Sequence, residues 1–350
     1  MTASADPALQ ALWLPFADGF LGWPPGGALF LGARDGWPLH HQRLPGLVCV
    51  QPFKPAFDAL QRSGFEVAPA VDATRRWPLV LLLPPRQREA ARALFVQALD
   101  VLEPGGRIVA AMPNAEGAKS GAADLARLAG PLEALSKHKC RVFWTGPLGG
   151  APDDALAAEW RTLGEPRQLL LDVAGHPVRS RPGVFAWDRV DRASALLAGH
   201  LPDDLAGSGA DLGAGWGYLS MQVLARCPAV RALDLYEADG DALDLARINL
   251  APFATRADLG FHWHDVASGL ARRYDFIVTN PPFHAQGRAE RPDLGRAFLA
   301  AAADALAPGG RLWLVANRHL PYEGVLDARF TSVRIVAQAD GFKVVEARHA

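Results

Sequence analysis

Cysteine is scarce in this 350-residue chain, which contains three, at positions 49, 140 and 227. Because the three are isolated in sequence, they form neither the close pairs of a metal site nor a disulfide framework. Long hydrophobic runs are missing as well, since no run approaches the roughly 20 apolar residues of a membrane span. The first twenty residues have no basic flank before an apolar stretch, unlike a secretory signal peptide. We therefore expect a cytoplasmic protein with no metal and no membrane partner.

A strong net charge is also absent. The formal net charge is −1, and only 21% of the residues are charged. Residues 1–150 carry 15 basic and 12 acidic side chains, and the remainder carries 21 basic and 25 acidic ones. Proteins that bind many phosphates usually show a local basic stripe, whereas the basic residues here fall into small separate clusters. The charge therefore neither requires nor excludes a nucleic-acid partner.

The length and composition predict two globular domains. A chain of 350 residues is too long for one ordinary core, and half of its residues are hydrophobic. From residue 210 to residue 316, predicted strands and helices alternate, which is typical of a parallel sheet with helices on both faces. The pair Asp340-Gly341 lies between two apolar runs and predicts an antiparallel hairpin at the edge of that sheet.

The first half repeats the landmarks of the second half in weakened form. Three pairs of segments match in the same order: residues 31–36 with 212–217, 77–85 with 274–282, and 99–109 with 304–313. We therefore predict an α/β protein with two tandem Rossmann-like domains, residues 1–150 and 151–350, joined near residues 148–152. Each has a seven-stranded, mostly parallel sheet with a C-terminal antiparallel hairpin. The alternative is that two unrelated α/β domains share Pro-Gly-Gly turns.

The two copies differ where chemistry is expected. The second copy has Asp211, Gly215, Glu237 and Asn280, and the positions opposite them in the first copy are occupied by Phe30, Arg34, Gln51 and Leu83. The first copy is thus predicted to keep the fold, to lack a cofactor site, and to serve a structural or RNA-binding role.

A glycine-rich stretch begins with Asp211 and has glycines at every second position, Gly213, Gly215 and Gly217. Glycine lacks a Cβ, so this stretch can turn tightly into a helix and let a ligand approach the backbone. The dinucleotide fingerprint has a different spacing, and no Lys-Ser/Thr pair follows as in a P-loop. The spacing favours an S-adenosylmethionine loop over a dinucleotide loop or a plain strand-to-helix turn. Trp216 within the loop packs either on the domain or on the adenine.

Two acidic residues follow at the ends of the next predicted strands. Glu237 directly follows an apolar run, at the place where an acid typically accepts both ribose hydroxyls of a bound nucleoside. Asp265 follows the third strand and is placed to meet the adenine amino group. We predict that both bind the cofactor. The alternatives are an ordinary exposed acid for Glu237 and a helix cap or turn for Asp265.

The stretch Asn280-Pro281-Pro282-Phe283-His284 follows a predicted buried strand. The exocyclic amino group of a purine is a poor nucleophile, so an enzyme must hold this nitrogen in line with the methyl donor and accept its hydrogens. A side-chain carbonyl, a rigid backbone carbonyl and a flat ring for an extruded base suit that task. We predict catalytic roles for Asn280, Pro281 and Phe283, and substrate binding by Pro282 and His284. A turn that merely ends a strand is the alternative.

Several segments of the second half are similar to the ribosomal RNA guanine-N2 methyltransferases, a class I S-adenosylmethionine-dependent family with tandem domains. The matching segments are residues 183–188 with Asp191, 211–217, 280–284, 315–317 with 320–322, and 341–344. The resemblance is strong from about residue 179 onward and diffuse before it. It implies that Phe185 and Asp191 lie beside the cofactor and that the first domain is a degenerate methyltransferase.

The resemblance implies methylation of N2 of a specific guanine in ribosomal RNA, with the 16S RNA of the small subunit as the leading substrate. The expected partner is ribosomal RNA or a ribosomal subunit, and we expect a monomer. The alternatives are guanine-N2 methylation of 23S RNA, N5-methylation of a protein glutamine, and a non-enzymatic RNA-binding assembly factor. Intact Asp211, Glu237 and Asn280 argue against the last of these.

Overall fold

The computed structural model describes residues 6–42, 44–149, 153–282, 292–320 and 322–350. The chain divides into two compact units. The first reaches to Glu165 and includes Arg181–Gly183, and the second comprises Pro166–Ser180 and Val184–Ala350. Within the described residues, no helix is long and apolar enough to span a bilayer.

The first unit contains seven strands and seven helices in its described residues. The strands are β1 (Ala28–Leu31), β2 (Leu47–Val50), β3 (Glu66–Ala68), β4 (Trp77–Leu82), β5 (Leu102–Pro113), β6 (Leu132–Lys137) and β7 (Cys140–Thr145). The helices are α1 (Pro7–Leu12), α2 (Leu14–Ala17), α3 (Trp37–His40), α4 (Lys54–Arg62), α5 (Arg88–Asp100), α6 (Ala118–Ala129) and α7 (Asp154–Leu163).

The second unit opens with a two-stranded sheet and continues with seven further strands and five helices among its described residues. The strands are β8 (Arg167–Val173) and β9 (His176–Ser180), then β10 (Ala206–Leu212), β11 (Ala229–Glu237), β12 (Asp258–Trp263), β13 (Tyr274–Thr279), β14 (Leu306–Asn317), β15 (Ser332–Ala339) and β16 (Phe342–Arg348). The helices are α8 (Arg192–His200), α9 (Tyr218–Arg226), α10 (Gly240–Leu250), α11 (Pro292–Asp304) and α12 (Glu323–Arg329).

The first unit reaches to Glu165, about one helix beyond the predicted boundary at residue 150. Helix α7 belongs to the first unit because Trp160 is fully buried in that unit's core. The guanidinium of Arg92 lies 4.9 Å from the Trp160 ring centroid, and Arg161 forms an ion pair with Asp100 at the end of α5. The Gly- and Pro-rich stretch near residue 150 therefore precedes a helix that still packs on the first domain.

Both units have the same sheet topology, as the repeated landmarks predict. The strand orders are β3-β2-β1-β4-β5-β7-β6 and β12-β11-β10-β13-β14-β16-β15. In each sheet the first five strands of this order are parallel and the last two pair antiparallel as a hairpin. The predicted α/β fold with two tandem, mostly parallel seven-stranded sheets is confirmed.

The second sheet is buried on both faces. Successive side chains of a strand point to opposite faces, so Phe276 and Val278 of β13 join one core cluster while Ile277 joins the other. Parallel strands covered by helices on both sides are expected to be apolar throughout. In each sheet, the edge at which the parallel strands end is called the carboxyl edge below.

Candidate active site

The carboxyl edge of the second sheet gathers the predicted functional residues. Leu212, the last residue of β10, pairs with Tyr236 on one side and with Thr279 on the other. Glu237 and Asn280 each stand one position after those partners, so they flank the start of the glycine loop. The Thr279 hydroxyl donates a hydrogen bond to the Leu212 carbonyl at 2.7 Å, which fixes β13 to β10 at this point.

The glycine loop between β10 and α9 depends on its glycines. Gly213, Gly215 and Gly217 all have positive φ, at 73°, 55° and 94°, a region that side chains with a Cβ rarely occupy. A Cβ on Gly217 would also stand 2.8 Å from the Leu250 side chain, whereas a Cβ on Gly215 would meet no heavy atom within 4 Å. The backbone at Gly215 therefore has open space beside it, as a close ligand approach requires.

Glu237 fixes the shape of this loop. One of its carboxylate oxygens accepts a hydrogen bond from the Gly215 backbone N–H at 2.7 Å, and the other accepts from the Asp239 N–H at 2.8 Å. Burial raises the pKa of Glu237, although these backbone bonds oppose that rise. Its predicted contact with ribose hydroxyls stays a prediction, and the loop-holding role is one that sequence reasoning missed.

Asp211 is fully buried below the loop's first glycine. Its Oδ2 accepts a hydrogen bond from the Ser220 hydroxyl at 2.7 Å, and its Oδ1 has no partner among the described residues. Burial, followed by the negative charge of Glu237, raises the pKa of Asp211 to about 7 against an ordinary 3.8. A buried acid with an unpaired oxygen contributes little to folding, so it is better explained by a ligand.

Asn280 has one end of its amide fixed and the other free. Its Nδ2 donates to Asp191 Oδ2 at 3.0 Å and to Ser194 Oγ at 2.8 Å. The Oδ1 atom is buried and has no partner within the described residues. An ionised carboxylate only accepts hydrogen bonds, so Asp191 requires the NH2 group to face it and directs the carbonyl oxygen the other way.

Asp191 and Ser194 are positioned by the start of α8. Asp191 is the N-cap of this helix, and its Oδ2 accepts the Ser194 backbone N–H at 2.9 Å. The cap therefore holds the first turn and, at the same atom, the Asn280 amide. Sequence reasoning placed Asp191 beside the cofactor and missed Ser194. The Asp-x-x-Ser spacing of a capped turn, which puts both side chains at one helix end, was the available signal.

A cavity lies against the glycine loop and Asn280. It is lined by Phe185, Ala186, Asp191, Ser194, Gly213, Ala214, Gly215, Trp216, Tyr218, Leu219 and Asn280. Phe185 is 67% exposed, and Ala186 has a φ of 50°, a strained value for a residue with a Cβ. Trp216 is buried in the core of the second unit and does not plug the open space beside Gly215.

The remaining predicted residues are placed less directly. Asp211, Gly217, Glu237 and Asp265 do not line this cavity. Asp265 caps a short 3-10 helix and accepts the Ala267 N–H at 3.0 Å, which is the structural alternative considered above. Its predicted contact with adenine is not tested by this bond.

The two prolines after Asn280 mark the end of the described stretch. Pro281 is buried and Pro282 is half-buried. Phe283 and His284 lie outside the described residues, so their predicted roles stay predictions. In the described part of the chain, no group of three or more His, Cys, Asp or Glu side chains could hold a metal.

Comparison with known proteins identifies the family of this chain. Residues 175–346 match the Methyltransferase small domain. The chain is 31% identical over 320 residues to ribosomal RNA small subunit methyltransferase C of Pseudomonas aeruginosa, covering 91% of this chain and 90% of the relative. Ribosomal RNA large subunit methyltransferase G of Alcanivorax borkumensis is 40% identical over 164 residues, which covers 46% of this chain and 42% of that protein.

A solved structure matches the whole chain. The 16S rRNA guanine-N2 methyltransferase RsmC of T. thermophilus, in complex with AdoMet and guanosine, superposes with a TM-score of 0.81 at 26% identity. The match covers 100% of this chain and 93% of that protein. The similarity therefore extends over both tandem domains. On these findings the chain belongs to the ribosomal RNA guanine-N2 methyltransferase family.

Proposed function

We propose that this chain transfers a methyl group from S-adenosylmethionine to N2 of a guanine in the 16S RNA of the small ribosomal subunit. The observation that carries the proposal is the free, buried carbonyl oxygen of Asn280, held outward by Asp191 and Ser194 beside an open glycine loop. The names of the full-length relatives support the small-subunit substrate.

The residues of the loop fit the cofactor. Open space beside Gly215 admits a ligand against the backbone, and the unpaired Oδ1 of Asp211 offers an acceptor at the base of the loop. Gly213, Gly215, Asp191 and Phe185 line the adjoining cavity and would hold it. When bound, S-adenosylmethionine supplies an electrophilic methyl group on a positively charged sulfur. The carboxylates of Glu237 and Asp191 make this edge favourable for a cation.

The acceptor chemistry falls to Asn280 and the carbonyl that follows it. The N2 group of guanine carries two hydrogens, and its lone pair is delocalised into the ring. Hydrogen bonds from those hydrogens to the Asn280 Oδ1 and to the Pro281 carbonyl would hold the nitrogen and turn its lone pair outward. Because the Asn280 amide cannot rotate without losing two hydrogen bonds, its oxygen is already oriented for the task.

The predicted roles of the outlying residues complete this proposal. Phe283 would stack on the extruded base, and Pro282 and His284 would line its pocket. Glu237 would accept the ribose hydroxyls, Asp265 would meet the adenine, and Gly217 would start α9 beneath the ligand. We further propose that the protein is a cytoplasmic monomer and that its first domain supports the second and binds RNA.

The experiment uses ribosomal RNA from a strain that lacks this gene. Purified protein with labelled S-adenosylmethionine should place one methyl group in the 16S RNA, and nucleoside mass spectrometry should identify it as N2-methylguanosine. Label in 23S RNA alone would reject the small-subunit assignment. Label in protein and none in RNA would favour glutamine methylation instead.

A further inference from the structure

The hairpin turn of the first domain is built from unfavourable residues. Its two-residue loop between Lys137 and Cys140 consists of His138 and Lys139, with φ values of 55° and 59°. The corresponding turn of the second domain uses Asp340-Gly341, the type of pair that this geometry favours. A lysine in the left-handed region is uncommon, and the hydrogen bond found at Lys139 is the one its carbonyl accepts from the Asn114 N–H at 2.9 Å. His138 and Lys139 are therefore less favourable for the stability of this turn than an Asp-Gly pair would be.

This turn lies at the carboxyl edge of the first sheet. Cys140 pairs with Pro113, the last residue of β5, so the hairpin tip projects where the parallel strands end. Lys119, at the start of the helix that follows β5, belongs to the same edge. The whole chain contains five lysines, and three of them, Lys119, Lys137 and Lys139, are exposed here.

Two further residues extend this surface. Arg86 stands at the sequence position corresponding to Phe283, four residues after the end of β4, and is exposed. Trp37 follows β1 and is 64% exposed, with its ring centroid 4.1 Å from that of His41. An exposed tryptophan held against a second ring is a platform on which a nucleic-acid base can stack.

The positive charges of this surface are not neutralised. Arg86, Lys119, Lys137 and Lys139 make no ion pair within the described part of the chain. Asp6 and Glu116 are the acids whose charges act on Cys140 at the end of this turn, and Asp6 is already paired with Arg34 at 2.8 Å. Four free cations beside an aromatic platform match a phosphate backbone with unpaired bases.

We infer that the carboxyl edge of the first domain, formed by Trp37, Arg86, Lys119, Lys137 and Lys139, binds a single-stranded segment of the substrate RNA. This inference rests on the proposed function, since it assigns part of the substrate to a named surface. Lysines and arginine contact phosphates, and Trp37 stacks on a base. The edge that binds a cofactor in the second domain binds RNA in the first.

The test measures binding of a short fluorescein-labelled single-stranded RNA to the full-length chain by anisotropy at several salt concentrations. Lys137→Ala combined with Lys139→Ala should weaken binding about tenfold and reduce the slope of log K against log salt by about 1.4 for two phosphate contacts. Trp37→Ala should weaken binding about tenfold with the slope unchanged. Arg75→Ala with Arg76→Ala removes two charges at the opposite edge of the same sheet and should leave the slope unchanged.

A second variant separates folding from binding. His138→Asn with Lys139→Gly installs favourable turn residues, so the melting temperature should rise while RNA affinity falls. A rise in melting temperature with unchanged RNA affinity overturns the inference. Equal losses from the two double alanine variants overturn it as well, because the effect would then be one of net charge alone.

Methyl transfer distinguishes this inference from the proposed function. The lysine variant should raise KM for deproteinised 16S RNA about tenfold and leave kcat and cofactor affinity unchanged. If the wild-type protein methylates no RNA, the proposed function is wrong. The anisotropy measurement would still show whether this surface binds RNA. If RNA binding is unchanged and only methylation of assembled subunits falls, the surface binds a protein of the subunit and the inference is wrong.

Discussion

The two carboxyl edges of this protein have the same backbone and different chemistry. Leu212 pairs with Tyr236 and Thr279 in the second sheet, and in the first sheet Leu31 pairs with Val50 and Leu82. The residues one position further along are therefore equivalent by register as well as by sequence. Each functional position of the second domain can be compared with the residue that replaced it in the first.

Gln51 occupies the position of Glu237 in the first domain and makes comparable hydrogen bonds without a charge. Its Oε1 accepts the Phe53 N–H at 2.9 Å, just as Glu237 accepts the Asp239 N–H. Its Nε2 donates to the Ala33 carbonyl at 2.6 Å, whereas Glu237 accepts from the loop at Gly215. The amide keeps the link between strand end and loop without a buried charge. The structural part of the residue's role is preserved and the electrostatic part is gone.

The Asn280 site has changed further. The N-cap Asp191, which accepts the Ser194 N–H, corresponds to Asp6 of α1, which accepts the N–H groups of Ala8 and Leu9. Ser194 thus corresponds to Leu9. Leu9 and Leu83 are buried in one core cluster of the first domain. In the second domain, Ser194 and Asn280 leave one amide oxygen without a partner. In the first domain, two leucines occupy these positions and have no polar side-chain atoms. The difference indicates that the polar set serves a ligand, because the same fold is stable without it.

Replacing Asn280 with the leucine of the first domain should have the largest effect. Asn280→Leu removes the oriented acceptor, and we expect kcat to fall about 100- to 1,000-fold, with the affinity for S-adenosylmethionine nearly intact. Steady-state kinetics and calorimetry on the same preparation check both values. A parallel loss of cofactor affinity would contradict the assigned role of Asn280 in holding the acceptor.

Asp211, the buried acid of the second domain, should make the free energy of unfolding depend on pH. Its counterpart in the first domain, Phe30, cannot ionise and has no such effect. A raised pKa means that folded Asp211 keeps its proton up to about pH 7, whereas the unfolded chain loses it near 3.8. The folded state thus binds more protons between these values, so the free energy of unfolding falls as pH rises through this window.

The matched variant is Asp211→Asn, which cannot ionise. From pH 4 to pH 8 its stability relative to wild type should rise by roughly 4 kcal/mol, measured by urea unfolding at each pH. Comparing the two proteins cancels the slope from other raised acids such as Asp239. A difference that does not change with pH would show that Asp211 is ionised in the folded state at all these values.

Moving the first domain's arginine into the glycine loop should block the cofactor. Gly215→Arg fills the open space beside the loop, and we expect the affinity for S-adenosylmethionine to fall about 100-fold. Gly215→Ala is the control, because its Cβ meets no heavy atom within 4 Å and therefore reports backbone strain at φ 55° alone. Equal losses in both variants would assign the effect to strain.

The orientation of the Asn280 amide can be released without removing its oxygen. Asp191→Asn retains a good N-cap but brings its own NH2 group, so both amide orientations become acceptable. We expect kcat to fall about tenfold with little change in melting temperature. Ser194→Ala, which leaves Asp191 in place, should lose less. Unchanged kcat in Asp191→Asn would show that the carboxylate does not orient the amide.

The sequence predicts the fold better than it predicts the site. The topology followed from repeated local landmarks, because strand-helix alternation and the Asp340-Gly341 turn are short-range signals. The bond from Asn280 to Asp191 spans 89 positions, and no local pattern specifies it. Likewise, α7 reads as a linker end in sequence, and only the burial of Trp160 assigns it to the first domain.

Restoring a glycine to the first domain should have the smallest effect. Arg34→Gly removes an ion pair with Asp6 whose side chains are 37% and 22% exposed, so we expect a loss of about 0.5 kcal/mol of stability. Cofactor binding should stay at one molecule per chain by calorimetry, because Leu9 and Leu83 still occupy the positions of Ser194 and Asn280. A stoichiometry of two would show that one arginine alone closed the first site. A stoichiometry of one would instead show that the buried apolar residues Leu9 and Leu83 still prevent cofactor binding in the first domain when the arginine is gone.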